Sequence, residues 1–80
     1  MLSVNDNEIL KTRIYPNPAN KKTVNIETND AIKTVFVYNS LGQIILKTSQ
    51  SKINFQNFDN GIFYIKIITD SAIIFKSIIN

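Results

Sequence analysis

Cysteine, histidine and tryptophan are all absent from this chain of 80 residues, and proline and glycine occur only twice each. Without cysteine there is neither a disulfide nor a thiolate nucleophile, and nothing indicates a redox compartment. Without histidine the chain also lacks the commonest general base and metal ligand. The two glycines lie too far apart for a phosphate-binding loop, and the six acidic residues do not cluster as a calcium loop requires. We therefore expect neither an enzyme nor a bound cofactor.

Long hydrophobic runs and clustered basic charge are also lacking. No apolar run approaches the roughly 18–20 residues that span a bilayer, and the N-terminus lacks the features of a signal peptide. The chain is either cytoplasmic or a part of a longer exported precursor, and we favour the second. The nine basic residues are dispersed and include only one arginine, whereas a nucleic-acid site would cluster them. We expect these basic residues to lie on solvated strand faces and at sheet edges.

What the sequence does contain is apolar residues that alternate with period two, within a composition that is 44% hydrophobic. This alternation is typical of half-buried strands and shows no helical spacing. Turn-forming residues separate the runs at the spacing of a sandwich. The pattern predicts an all-β, immunoglobulin-like antiparallel β-sandwich of about seven strands. The predicted strands cover residues 8–15, 23–28, 33–39, 43–49, 52–55, 62–69 and 72–79.

The two prolines stand one residue apart, at Pro16 and Pro18, directly after the first predicted strand. Proline lacks a backbone N–H and pushes the preceding residue toward an extended conformation. We expect the prolines to end an edge strand at Tyr15 and to direct the chain into the facing sheet at Thr23. The isomer of the two peptide bonds before the prolines is left open.

The eight aromatic residues allow two interpretations. They could form a surface on which sugars or peptides stack, or they could fill the thin core of a small sandwich. We expect most of them to lie in the core, because large rings dominate core energetics. The short polar link at residues 69–72 predicts a hairpin between strands 62–69 and 72–79. In this hairpin either Phe63 or Tyr64 should be deeply buried.

Three stretches in a fixed order carry a resemblance to a known family. They are YPNPA (15–19), VYNSLGQII (37–45) and INFQNFDNGIFYIKI (53–67), and FKSII (75–79) follows them near the chain end. Together, over about residues 12–80, they resemble the type A C-terminal sorting domain of the type IX secretion system. Phe55 and Phe58 stand where that family has leucine, and Phe63 stands where it has tyrosine. The matching positions are Pro16, Asn17, Pro18, Gly42, Gln43, Ile53, Gly61, Ile62, Lys76, Ile78 and Ile79.

The resemblance implies a C-terminal secretion and sorting signal that targets an N-terminal cargo domain to the type IX translocon at the outer membrane. Its implied partners are translocon components that include an outer-membrane shuttle barrel, and a sortase-like peptidase that removes the domain. The cargo would be secreted or held at the cell surface after passing the periplasm and outer membrane. Residues 1–12 would be the linker and cleavage region, and residues 13–80 the sorting domain. The alternative is an immunoglobulin-like accessory or carbohydrate-binding module.

The recognition residues are expected at the chain end, where a translocon could always find them. We predict that Lys76, Ser77, Ile78, Ile79 and Asn80 form the main part of the signal. The kink formed by Pro16, Asn17 and Pro18 should lie near enough to contribute, while Gly42 and Gly61 serve as structural turns. A second interpretation of Lys76 is that it protects an edge strand from aggregation. An unpaired edge strand also leaves a homodimer open, whereas no nucleic-acid partner is expected.

Overall fold

The computed structural model describes residues 12–80, which form seven strands arranged in two antiparallel sheets. The three-stranded sheet has the order β1-β2-β5, and the four-stranded sheet has the order β4-β3-β6-β7. Residues 12–80 contain no helix, so the predicted all-β sandwich is confirmed. Residues 8–11 of the first predicted strand lie outside the described residues. The strands are β1 (Thr12–Tyr15), β2 (Thr23–Thr28), β3 (Ile32–Tyr38), β4 (Ile44–Thr48), β5 (Lys52–Asn54), β6 (Ile62–Thr69) and β7 (Ile73–Ile79).

The core lies between the two sheets and consists mainly of branched aliphatic side chains. Because successive side chains of a strand point to opposite faces, every second residue of β2, β3 and β6 enters this layer. Such β-branched side chains suit the pleated surface of a sheet. The buried apolar residues are Ala19, Val24, Ile26, Val35, Val37, Ile53, Phe55, Phe63, Ile65, Ile67 and Ile78.

Only three aromatic residues belong to this core. The ring centroids of Phe55 and Phe63 lie 5.6 Å apart in an edge-to-face arrangement, and Phe58 packs against both rings. The expectation that most aromatic residues fill the core is therefore wrong. Isoleucine and valine already occupy the layer between the sheets, so the other rings lie at the surface or half-buried outside it.

The double-proline segment does not carry the chain into the facing sheet, and that prediction is wrong. β1 and β2 pair with each other in one sheet, with Tyr15 opposite Asn25. Asn20 and Lys21 adopt left-handed backbone conformations with φ of 53° and 62°, and they turn the chain back beside β1. The expectation that the prolines end an edge strand is confirmed, because β1 lies at the edge of its sheet. Both peptide bonds before the prolines are cis.

The predicted hairpin of β6 and β7 is confirmed. The two strands pair along their whole length, from Ile62 opposite Ile79 to Ile68 opposite Ile73. Phe63 is 4% exposed and faces the core, whereas Tyr64 is 45% exposed on the other face. β7 is the edge strand of the four-stranded sheet, so the last residues of the chain form a sheet edge.

We expect the Ile65→Ala substitution to lower the free energy of unfolding by about 2–5 kcal/mol, because Ile65 is fully buried and its loss leaves a cavity. Urea unfolding of the purified chain measures this difference. The control is Ile73→Ala on the adjacent strand, where the side chain is 58% exposed. That substitution should change the free energy by no more than about 0.5 kcal/mol. Equal losses in the two variants would contradict the assigned core.

Candidate recognition site

The segment that follows β1 lies against the open edge of β7. The backbone N–H of Ala19 donates a hydrogen bond of 2.7 Å to the Ile79 carbonyl. The side chain of Asn17 also forms hydrogen bonds with the backbone of β7. Its Oδ1 atom accepts from the Ile79 N–H at 3.2 Å, and its Nδ2 atom donates to the Ser77 carbonyl at 3.4 Å. The structure therefore brings the proline kink and the chain end together.

These contacts follow from the pairing geometry of β7. The backbone groups of Asn80 point toward β6, because its N–H and carbonyl exchange hydrogen bonds with Gly61 at 2.8 Å and 3.1 Å. Residues one and three positions earlier then point their backbone groups away from β6. Those outward groups belong to Ile79 and Ser77, which Asn17 contacts. The Asn17 side chain thus takes the place of a neighbouring strand at this part of the edge.

The side chain of Asn80 holds the chain end inside the fold. Its Nδ2 atom lies within 3.1–3.3 Å of the carbonyl oxygens of Phe55, Phe58 and Asp59. Its Oδ1 atom accepts a hydrogen bond of 2.8 Å from the Lys21 N–H. The ammonium group of Lys21 donates to the Phe58 carbonyl. One terminal residue therefore joins β7, the β1–β2 connection and the β5–β6 loop.

Comparison with known protein families identifies the domain. The sequence model of the family described as "Secretion system C-terminal sorting domain" matches residues 13–80, from the second residue of β1 to the last residue of the chain. The chain belongs to this family of type IX secretion sorting domains. No curated protein matches the chain. The family supports a C-terminal type IX sorting signal and is not an enzyme family.

Membership has consequences for partners and location. A type IX sorting domain implies a secreted or cell-surface protein, interaction with the type IX secretion machinery, and fusion to an N-terminal cargo. Within residues 12–80 no three acidic, histidine or cysteine side chains come together as a metal site would need. The same residues include no helix that is long and apolar enough to cross a membrane.

The predicted recognition residues of the sorting domain differ in how far they reach the surface. Ile78 is 1% exposed and is a core residue, while Ser77 and Ile79 are exposed. Lys76 is half-buried, and it lies opposite the fully buried Ile65 on the inward side of β7. An inward lysine on an edge strand is a known protection against further strand pairing. Lys76 therefore has a structural explanation beside the predicted recognition role.

The two glycines of the sorting domain both have positive φ. Gly42 has φ of +83° in the β3–β4 turn, where its N–H donates to the Asn39 carbonyl at 3.0 Å. The Asn39 side chain accepts from two more N–H groups of that turn, those of Leu41 and Gln43. Gly61 has φ of +135° and pairs with Asn80, so it lies where β6 begins beside the chain end.

A second hydrogen-bonded group, which sequence reasoning missed, joins two turns. Asp30 in the β2–β3 turn accepts hydrogen bonds from the N–H and hydroxyl of Ser71 in the β6–β7 turn. The hydrogen bonds from Ser71, then from Thr69, lower the pKa of the Asp30 carboxyl below its ordinary value. No local pattern could have paired Asp30 with Ser71, because the partners are 41 residues apart. The hydrogen bonds of the Asn80 side chain, which we call the Asn80 clamp, were missed for the same reason.

We expect the Asn80→Ala substitution to lower the free energy of unfolding by about 1–3 kcal/mol, because it leaves partly buried carbonyls and the Lys21 N–H without their partner. Chemical unfolding of the purified chain measures the loss. Asn57→Ala, at an exposed position of the β5–β6 loop, serves as the control and should change stability by no more than about 0.5 kcal/mol. A neutral Asn80→Ala variant would show that the clamp does not stabilise the fold.

The lowered pKa of Asp30 predicts a pH-dependent stability. The folded chain keeps this carboxylate charged to a lower pH than the unfolded chain, in which the carboxyl has its ordinary pKa of 3.8. The contribution of the charged Asp30 carboxylate to the free energy of unfolding is therefore complete above pH 3.8 and is lost as the pH falls through the pKa of the folded chain. The free energy of unfolding of the wild type should thus fall more steeply below pH 3.8 than that of Asp30→Asn. Ser71→Ala should also reduce the steepness, and parallel curves for all three chains would contradict the assignment.

Proposed function

We propose that the type IX translocon, including its shuttle barrel, recognises the surface formed by the proline kink and the end of β7. This kink–strand surface consists of Pro16, Asn17, Pro18, Lys76, Ser77, Ile79 and Asn80. The observation that supports it most is the double contact of Asn17 with Ser77 and Ile79. Two segments at opposite ends of the domain sequence thereby lie side by side at the chain end, where Asn17, Ser77 and Ile79 are exposed and Lys76 and Asn80 are half-buried.

The kink–strand surface offers a partner both polar and apolar groups. Pro16, Asn17 and Pro18 are exposed, and the Ile79 side chain is 53% exposed. The side chains of Asn17 and Asn80 are already engaged in hydrogen bonds within the domain, so this part of the surface is held in one shape before a partner arrives. A preformed surface loses little conformational entropy on binding. This would let a short surface be recognised in the same form whichever cargo precedes it.

We also propose that a sortase-like peptidase removes the sorting domain by cleavage ahead of β1. Thr12 is already part of the sheet, because it pairs with Thr28 and the two hydroxyls lie 3.1 Å apart. The linker meets β1 at Thr12, while the kink begins after Tyr15 at the other end of that strand. Four residues of strand separate these points by roughly 10 Å. Cleavage and recognition would therefore engage opposite ends of β1.

The proposed recognition is tested by fusing residues 1–80 behind a reporter with its own signal peptide, in a bacterium that has a type IX system. Lys76→Ala and Ile79→Asp should each reduce the exported fraction of the reporter several-fold. Lys76→Ala should cost no more than about 1 kcal/mol of stability, because the stem that it removes is only half-buried. The matched control is Leu41→Asp, at a loop position that is 80% exposed, and it should export like the wild type.

Unfolding of each purified chain separates recognition from folding. Normal export of both variants would place the signal outside the kink–strand surface. Lost export with a loss of stability as large as that of Ile65→Ala would indicate a structural role alone. Deletion of residues 76–80 is the weaker test, because it removes the core residue Ile78 and the Asn80 clamp together.

A further inference from the structure

The outer face of the four-stranded sheet, which points away from the core, is unusually apolar. Opposite residues of paired strands share a face, so the pairing assigns each side chain. One row across the sheet consists of Ile44, Tyr38, Tyr64 and Ser77. Thr34, Ile68 and Ile73 form another row. Large apolar side chains of this face, such as Tyr64, Phe75 and Ile73, are 45–68% exposed. A contiguous apolar surface of this kind marks an interaction site more often than isolated exposed residues do.

A row of alternating charge and aromatic rings runs between those two apolar rows. It consists of Lys47, Phe36, Lys66 and Phe75 on four neighbouring strands. The Nζ atoms of Lys47 and Lys66 each lie 5.7 Å from the centroid of the Phe36 ring. This distance is within the range of a cation–π interaction. The ring therefore holds two positive charges in the middle of the apolar face.

No acidic residue balances these charges within the sheet. The four strands β3, β4, β6 and β7 contain four lysines and neither aspartate nor glutamate. An open groove of about 580 Å³ lies on one part of this face, with Tyr38, Tyr64 and Phe75 in its walls and the row that carries Lys47 and Lys66 beside it. The face thus combines an apolar groove with uncompensated positive charge. A complementary partner must carry carboxylates beside apolar side chains.

We propose that this outer face binds a short acidic segment of the type IX secretion machinery. Carboxylates of the segment would pair with Lys47 and Lys66, while its apolar side chains cover Tyr64 and Phe75. The inference rests on the proposed function of the chain as a sorting domain. The size of the face supports a short segment: the four strands and the three rows described above span roughly 15 by 14 Å, or about 200 Å². A stable interface between globular proteins needs about 800 Å² on each partner.

Three other occupants fit the face less well. A second copy would place one lysine row against another without any carboxylate between them, and like charges across an interface are costly. A bilayer would have to accept ammonium groups in the middle of the inserted surface, where burial of charge is unfavourable. A sugar needs several polar side chains around the stacking rings, whereas the rows of this face offer Tyr38, Lys66 and Ser77 beside Tyr64 and Phe75 and contain neither a carboxylate nor an amide side chain.

The first test uses the exported reporter fused to residues 1–80. Reversal of the two central charges, in the double variant Lys47→Glu with Lys66→Glu, should lower the exported fraction by at least about tenfold. Lys47→Arg with Lys66→Arg keeps both charges and should export like the wild type. The matched control is Lys22→Glu with Lys52→Glu, which makes the same charge change at exposed positions outside the four strands. It should also export like the wild type.

The second test measures binding directly with a defined probe. A synthetic peptide that alternates leucine and glutamate is titrated into the purified chain, and tyrosine fluorescence reports the contact with Tyr38 and Tyr64. We expect the wild type to bind this peptide, and the affinity to fall as the salt concentration rises. The double variant Lys47→Glu with Lys66→Glu should not bind it. A peptide that alternates leucine and lysine should not bind to the wild type. Equal binding of the acidic peptide by the wild type and the charge-reversed variant would overturn the inference.

The outcomes distinguish this inference from the proposed function. Failure of the wild-type fusion to leave the cell overturns the proposed function, and this inference with it. Wild-type export together with normal export of the charge-reversed variant overturns this inference alone. A third outcome is that the acidic peptide does not bind, while the wild type binds phosphatidylglycerol vesicles or a soluble polysaccharide and the charge-reversed variant does not. The partner would then be a lipid surface or a polysaccharide in place of an acidic segment. Concentration-dependent dimers that Phe75→Ser abolishes would make a second copy the occupant.

Discussion

The rest of the structure depends on how the last strand is held at its two sides. β6 pairs with β7 along one side, and the Asn17 side chain and the Ala19 N–H contact its other side at the final residues. The Asn17 contact joins residues 62 positions apart in the chain. Asn17 follows β1 of one sheet and Ile79 belongs to β7 of the other, so this contact forms only where the two sheets pack against each other. The proposed recognition surface therefore exists only in the folded domain, which would prevent an unfolded chain from presenting it.

The same strand also explains why the domain has two apolar faces. β7 and β6 carry apolar residues at both alternating sets of positions, so one set enters the core and the other must face outward. Ordinary antiparallel sheets place polar residues on the outward set. Here lysines and tyrosines provide most of the polarity on that face. Such a surface is a risk for aggregation unless a partner uses it, and this makes the outer face the second place to look for contacts with the secretion machinery.

The two ends of the sandwich carry different parts of the proposed function. One end gathers the proline kink, the β5–β6 loop and Asn80. The other end contains Thr12, where the linker would enter, and the contact of Asp30 with Ser71 that joins two turns. Because Asn80 and Asp30 each tie segments that are distant in sequence, both ends are closed by side chains as well as by strand pairing. A small domain with a thin core gains most from such closures.

Strand positions, turn positions and family membership followed from local features of the sequence. Period-two alternation depends only on neighbouring residues, and β2 and β6 begin and end at the predicted residues. The motifs from Pro16 to Ile79 similarly identified the sorting domain without coordinates.

The tertiary structure alone decided which face of each strand is buried and which distant groups meet. Alternation could not show that Phe75 faces outward and Lys76 inward, because that depends on the side from which the other sheet packs. It could not show that β2 returns beside β1, since two left-handed residues after the prolines reverse the chain. Nor could it pair Asn17 with Ile79 or Asn80 with Phe55. Such hydrogen bonds depend on positions in space, whereas sequence patterns report conformational preferences over only a few residues.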